Sequence, residues 1–159
     1  MTSVAVIAHQ MKTLGGGLSE LRRVLADRGV VDPIWYEVPK SRKAPARARQ
    51  AVDEGADLLM LWGGDGTVQR CIDAVAGSGV TVAILPAGTA NLLATNLGVP
   101  IDLDKAVEVA LNGARRRIDL GVVNGKRFAV MAGVGFDAIM MKDADSGLKD
   151  RFGRLAYLE

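Results

Sequence analysis

The chain has 159 residues, of which 49% are hydrophobic and 24% charged, with a formal net charge of +2. That length suits one good core, or one domain and part of another, and so small a charge leaves no electrostatic footprint for nucleic acid. Cys71 is the only cysteine, which excludes an internal disulfide and a cysteine metal site, and no run approaches the roughly 18 apolar residues of a membrane span.

The N-terminal stretch MTSVAVIAHQMK is too short for a signal core and lacks a basic lead-in. The expected location is the cytoplasm, with peripheral contact at a membrane surface left open. Ser3–Ala8 reads as a buried strand, and residues 15–17 are three glycines. From Leu18 the spacing Leu18, Leu21, Val24, Leu25 predicts a helix that stops at Gly29. Val30–Val38 reads as a strand, which Pro33 pushes toward a sheet edge. Residues 40–49, KSRKAPARAR, are strongly basic, and a helix is expected from Pro45 to Glu54. This run reads as a solvated face, an attraction for ATP, or a contact for anionic headgroups. It lacks interleaved aromatics, so nucleic acid is not an expected partner.

Asp57–Trp62 is the next strand, then the turn GGDG, then a helix from Thr67 to about Ala76. Thr81–Leu85, the turn PAGT and a helix from Ala90 repeat that arrangement, and Leu103–Leu111 forms a further helix. Alternating strands and helices imply a layered α/β domain on a mostly parallel sheet. Near residue 116 the pattern changes. RIDLGVVNGKRFAVMAGVG holds two strand-like runs around Asn124-Gly125, a strong hairpin signal. The expected organisation is an α/β domain over 1–116, then residues 117–159 as the start of an antiparallel β domain that continues in the parent protein.

Ligands of parallel α/β sheets bind at the carboxyl ends of the strands, where GGDGT sits. Gly63 and Gly64 admit backbone close to a ligand, and the following helix start suits phosphate. Asp65 is the odd member, because a carboxylate repels phosphate unless Mg²⁺ or a proton intervenes. The plainer reading is that Asp65 caps the helix. Gly88, Thr89 and Asn91 place similar groups at the next helix start, and two such turns on successive strands are expected to face each other across one crevice.

GGDGT followed by LPAGTANLLA closely resembles the catalytic domain of the diacylglycerol kinase family, which includes the YegS-like, sphingosine and ceramide kinases. The resemblance extends over IDLGVVNGKRFAVMAGVGFDA and GRLAYL, so it covers nearly the whole chain. It implies the three-layer fold of the NAD kinase and diacylglycerol kinase group. It also implies ATP-dependent, Mg²⁺-dependent phosphorylation of a lipid hydroxyl. By that likeness Gly63, Gly64, Asp65, Gly66 and Thr67 surround the ATP phosphates, and Asp65 acts through the metal. Thr89 contacts the nucleotide, Asn91 braces its loop, and Ser41 is the nearest hydroxyl to a nucleotide-contacting threonine of the family. Asp137 reaches a lipid headgroup or serves as a turn residue.

Three departures stand out. Ala8-His9-Gln10 replaces the family's Asn-Pro or Asn-Gly opening, although Gly15–Gly17 offers another phosphate-side loop. Leu92 stands where many members carry an aspartate. The general base is expected beyond Glu159. His9, the only histidine, follows a strand end and has either a ligand or a packing role. Cys71 shares an apolar face with Ile72 and Val75 and is expected in the core. Gly133–Ala138 matches G-x-G-x-x-A but follows half of a hairpin, so it reads as a turn rather than a dinucleotide site.

ATP and a membrane lipid are the expected partners, and a homodimer stays open. Two other readings remain. One is an NAD kinase-like soluble enzyme, which shares GGDGT. The other is a non-catalytic nucleotide-binding fragment.

Overall fold

The computed structural model describes residues 2–130. In chain order the strands are β1 Val4–His9, β2 Ile34–Val38, β3 Leu58–Gly63 and β4 Thr81–Pro86. They form one parallel sheet in the order β2-β1-β3-β4. The helices are α1 Gly17–Asp27, α2 Ala44–Asp53, α3 Asp65–Val75, α4 Leu92–Asn96 and α5 Leu103–Asn112. A single 3₁₀ turn, Ser41–Lys43, precedes α2.

β1 and β3 are buried along their whole length, as near-continuous apolar runs must be when both faces of a parallel sheet are covered. Side chains alternate between the faces. Val4, Val6, Ala8, Leu58, Met60 and Trp62 join Leu21, Val24 and Leu25 of α1 and Ala106 and Val107 of α5 in one cluster. The alternate residues of the same strands face α2 and α3, which bury Ala44, Ala48, Ala51, Val68, Cys71 and Val75. The result is the expected three-layer α/β fold. Each fully buried leucine or valine here contributes about 2 kcal/mol.

β2 is shorter than the sequence predicts. Residues 30–33 lie outside the ladder, and Pro33 sits just ahead of an edge strand. The basic residues Arg42, Lys43, Arg47 and Arg49 are exposed, because α2 buries only its alanines.

β5 Gly121–Val123 and β6 Lys126–Phe128 form the antiparallel hairpin that Asn124-Gly125 predicts. Both turn residues have positive φ, 49° and 74°, as a type I′ turn requires. The hairpin is pinned to α3. The Gln69 side chain accepts from Ala129 N–H and donates to Arg127 C=O, while Asp73 accepts from Arg127 N–H at 3.0 Å. The compact unit therefore runs on to Ala129. No helix among the described residues is long and apolar enough to cross a membrane.

Candidate functional site

Right-handed crossovers decide where a ligand can enter. β1 leads into α1 on one face of the sheet, and β3 leads into α3 on the other. The connections diverge between these neighbouring strands, so the crevice of the sheet opens at their carboxyl ends. His9 ends β1 there and Gly63 ends β3.

GGDGT starts α3 earlier than periodicity predicts. Gly64 is the N-cap, extended at φ −91° and ψ −178°, and Asp65 is the first helical residue. No side chain caps this helix, so the capping reading of Asp65 does not hold. Thr67 N–H and Val68 N–H both donate to Gly64 C=O, at 2.9 and 3.1 Å. Among the described residues, Asp65 N–H and Gly66 N–H find no acceptor. Nor does any described group bond or pair with the half-buried Asp65 carboxylate. Two free donors and the positive helix end lie beside one unpartnered carboxylate.

The glycines divide into two kinds. A Cβ on Gly63 would sit 2.8 Å from Thr67 Cβ, and one on Gly88 would overlap Gly64 Cα and stand 2.7 Å from Asn91 Oδ1. These positions are closed by packing. A Cβ on Gly66 would meet nothing within 4 Å, and its φ is not left-handed. Nothing among the described residues requires glycine at Gly66.

The second turn is held from inside by Asn91, which is 4% exposed. Its Oδ1 accepts from Gly88 N–H at 2.9 Å, and its Nδ2 donates to Pro86 C=O at 3.2 Å and Gly88 C=O at 2.9 Å. It adopts a left-handed conformation, φ 50° and ψ 46°, which delays α4 to Leu92. Thr89 is exposed at the tip. The two turns do more than face each other across a gap: Gly64 and Gly88 touch backbone to backbone. β3 and β4 pair Gly63 with Pro86, and the glycines let the connections that follow stay in contact.

Ser41 joins the same cluster from β2. Its Oγ lies 2.9 Å from the Oγ1 of Thr67, which is 1% exposed. This contact links the connection after β2 to the start of α3. The Gly15–Gly17 loop has a different occupant, because the Glu20 carboxylate accepts from Gly16 N–H. Asp137, and the Gly133–Ala138 turn with it, lie outside the described residues.

Sequence reasoning gave His9 a location but no geometry. It is 8% exposed, and its Nδ1 accepts from Met11 N–H at 3.2 Å. Burial, with a smaller contribution from Lys12, lowers its pKa below the usual 6.5. Cys71 is buried as expected, and burial pushes its thiol up to about 12. Among the described residues, no group of three or more His, Cys, Asp or Glu could hold a metal ion. A single carboxylate beside a phosphate-ready helix start nevertheless fits Mg²⁺, which binds through one or two carboxylates together with phosphate oxygens.

Residues 11–123 match the family model for the diacylglycerol kinase catalytic domain. The chain belongs to that family. It is 38% identical over 113 residues to a diacylglycerol kinase of Bacillus subtilis (strain 168), covering 69% of this chain and 37% of that protein. It is 41% identical over 117 residues to a protein of Pseudomonas aeruginosa (strain UCBPP-PA14) named "Probable lipid kinase YegS-like", covering 70% of this chain and 38% of that one. The fold matches a crystal structure of a diacylglycerol kinase from Bacillus anthracis str. Sterne with a TM-score of 0.69 at 21% identity, over 90% of this chain and 52% of that chain. The chain thus spans well under two thirds of the curated relatives it matches, 37% of one and 47% of another.

Proposed function

We propose that this chain carries the nucleotide side of an ATP-dependent lipid kinase, which transfers the γ-phosphate to a diacylglycerol-like hydroxyl. The observation that carries the reading is the Gly64–Gly88 contact, which joins two phosphate-type turns beside an unpartnered Asp65. The free N–H groups of Asp65 and Gly66 bind and orient phosphate oxygens. Gly66 lets the nucleotide approach the helix start. Asn91 holds the second turn rigid, so Gly88 and Thr89 keep their positions against the nucleotide. Ser41 and Thr67 brace the opposite wall. Asp65, whose carboxylate has no partner among the described residues, would hold Mg²⁺, which when bound would supply neutralisation of phosphate charge.

Catalysis of this kind is mostly positioning and electrostatics, so loss of one charged group is severe. In the full-length enzyme, Asp65→Asn is expected to lower transfer of labelled phosphate from ATP to diacylglycerol by at least 100-fold. Its unfolding midpoint should stay close to wild type, since the carboxylate has no described partner. Undiminished transfer by Asp65→Asn overturns the assignment. Label appearing on NAD instead of lipid favours the soluble-kinase alternative. ATP binding without transfer by the full-length protein favours the non-catalytic module.

A further inference from the structure

The hold of α3 on the hairpin is more specific than edge protection needs. In the β5–β6 ladder Val123 pairs with Lys126 across the turn, Val122 with Arg127 and Gly121 with Phe128. The first and last are the hydrogen-bonded pairs, so the N–H and C=O of Arg127 and the N–H of Ala129 point away from β5. All three meet α3. Asp73 accepts from Arg127 N–H at 3.0 Å, while the Gln69 carboxamide accepts from Ala129 N–H at 3.0 Å and donates to Arg127 C=O. A carboxamide offers one acceptor end and one donor end, so only one orientation of Gln69 fits an N–H and a C=O together. Gln69 thus stands in for a neighbouring strand and fixes the register of β6 on the helix.

Lys126 and Arg127 are exposed, so water would satisfy this edge, and each such bond adds only about 1 kcal/mol. What the bonds supply is placement. Asp65, Gln69 and Asp73 follow one another at intervals of four and share one face of α3. Arg127 N–H is taken by Asp73 and Ala129 N–H by Gln69, so β6 climbs that face toward the helix start. The Gln69 bond to Ala129 lies one turn, about 6 Å along the axis, from Asp65.

We propose that Gln69 is a positioning residue for phosphoryl transfer: it holds the β6 backbone one turn from Asp65 and so sets the flank of the site along which the acceptor hydroxyl aligns. The proposal rests on the kinase reading of GGDGT. The free N–H groups of Asp65 and Gly66 lie in the turn before Gln69 and make no bond to it, so nucleotide binding and acceptor alignment are separable. Alignment matters here because transfer of a phosphoryl group is mostly positioning, and a misplacement of about 1 Å can cost about 100-fold.

The test compares the full-length wild-type enzyme with Gln69→Leu and Gln69→Glu, measuring kcat and the KM for ATP with diacylglycerol as acceptor. Leucine removes both hydrogen bonds. Glutamate keeps the length of the side chain and the acceptor for Ala129 N–H but sets an oxygen against Arg127 C=O. Both variants are expected to lower kcat about tenfold, with the KM for ATP within about twofold of wild type. A role confined to hairpin stability would lower the unfolding midpoint and leave kcat unchanged well below it; that result overturns the proposal and leaves the GGDGT reading intact. A fall in kcat matched by a rise in the KM for ATP overturns it as well, since the damage then lies at the helix start. Should Gln69→Leu fail to fold, Gln69→Glu decides by the same measures. A wild-type enzyme that transfers no phosphate to lipid refutes the kinase reading and this proposal together.

Discussion

Asn91 offers the sharpest quantitative test of how the site is built. Asn91→Ala removes three hydrogen bonds inside a turn and strands the Gly88 N–H and the Pro86 and Gly88 carbonyls. Each bond is worth about 1 kcal/mol net, and alanine at φ 50° adds about 1 kcal/mol of left-handed strain. The expected loss is about 4 kcal/mol. Asn91→Gly loses the same bonds without that strain, so it should be about 1 kcal/mol milder. Asn91→Asp keeps the acceptor for Gly88 N–H but turns a second oxygen on two carbonyls, so it should be at least as damaging as alanine. Urea unfolding, followed by the fluorescence of the buried Trp62, measures all three. An alanine variant within about 0.5 kcal/mol of wild type would refute the claim that Asn91 holds this turn.

The glycines and the titrating groups give further tests. Gly88→Ala should destabilise by about 1–3 kcal/mol, because its Cβ overlaps Gly64, and calorimetry of the variant checks this. Gly66→Ala should unfold no earlier than wild type, gaining up to about 0.5 kcal/mol, while ATP affinity falls; tighter ATP binding would contradict the approach argued for Gly66. His9 has a folded-state pKa below its unfolded value, so between the two the unfolded chain binds more protons. Its contribution to stability is therefore complete above about pH 6.5 and is lost as pH falls through the window beneath, a slope that His9→Gln should flatten in unfolding curves taken at successive pH values. Cys71, with its thiol raised to about 12, should resist iodoacetamide at pH 8 in the native protein and react at once in urea, as mass spectrometry would register.

Much of this was legible in the sequence where local and long-range preferences agree. Apolar runs gave β1 and β3, and Pro33 marked β2 as an edge. Asn124-Gly125 fixed the hairpin, and the paired GGDGT and PAGTAN turns marked the carboxyl edge. What escaped was tertiary. Periodicity began α3 at Thr67, because it cannot sense that an extended Gly64 lets Asp65 take helical geometry. It began α4 at Ala90, because a left-handed Asn91 leaves no trace in hydrophobic spacing. The Ser41–Thr67 contact joins residues 26 apart, and the hold of Gln69 and Asp73 on the hairpin has no motif to announce it. The odd chemistry of an aspartate between glycines was the local signal that pointed past packing.

That hold on the hairpin makes α3 a two-point lever. Its first turn carries the free N–H groups of Asp65 and Gly66, and the face one to two turns on grips Arg127 and Ala129. Eleven helical residues make a stiff rod about 16 Å long. A pull on the hairpin cannot be absorbed within such a rod, so it reaches Asp65 as a rotation of the whole helix. Ordering of the helix start by a ligand likewise reaches the backbone at Ala129.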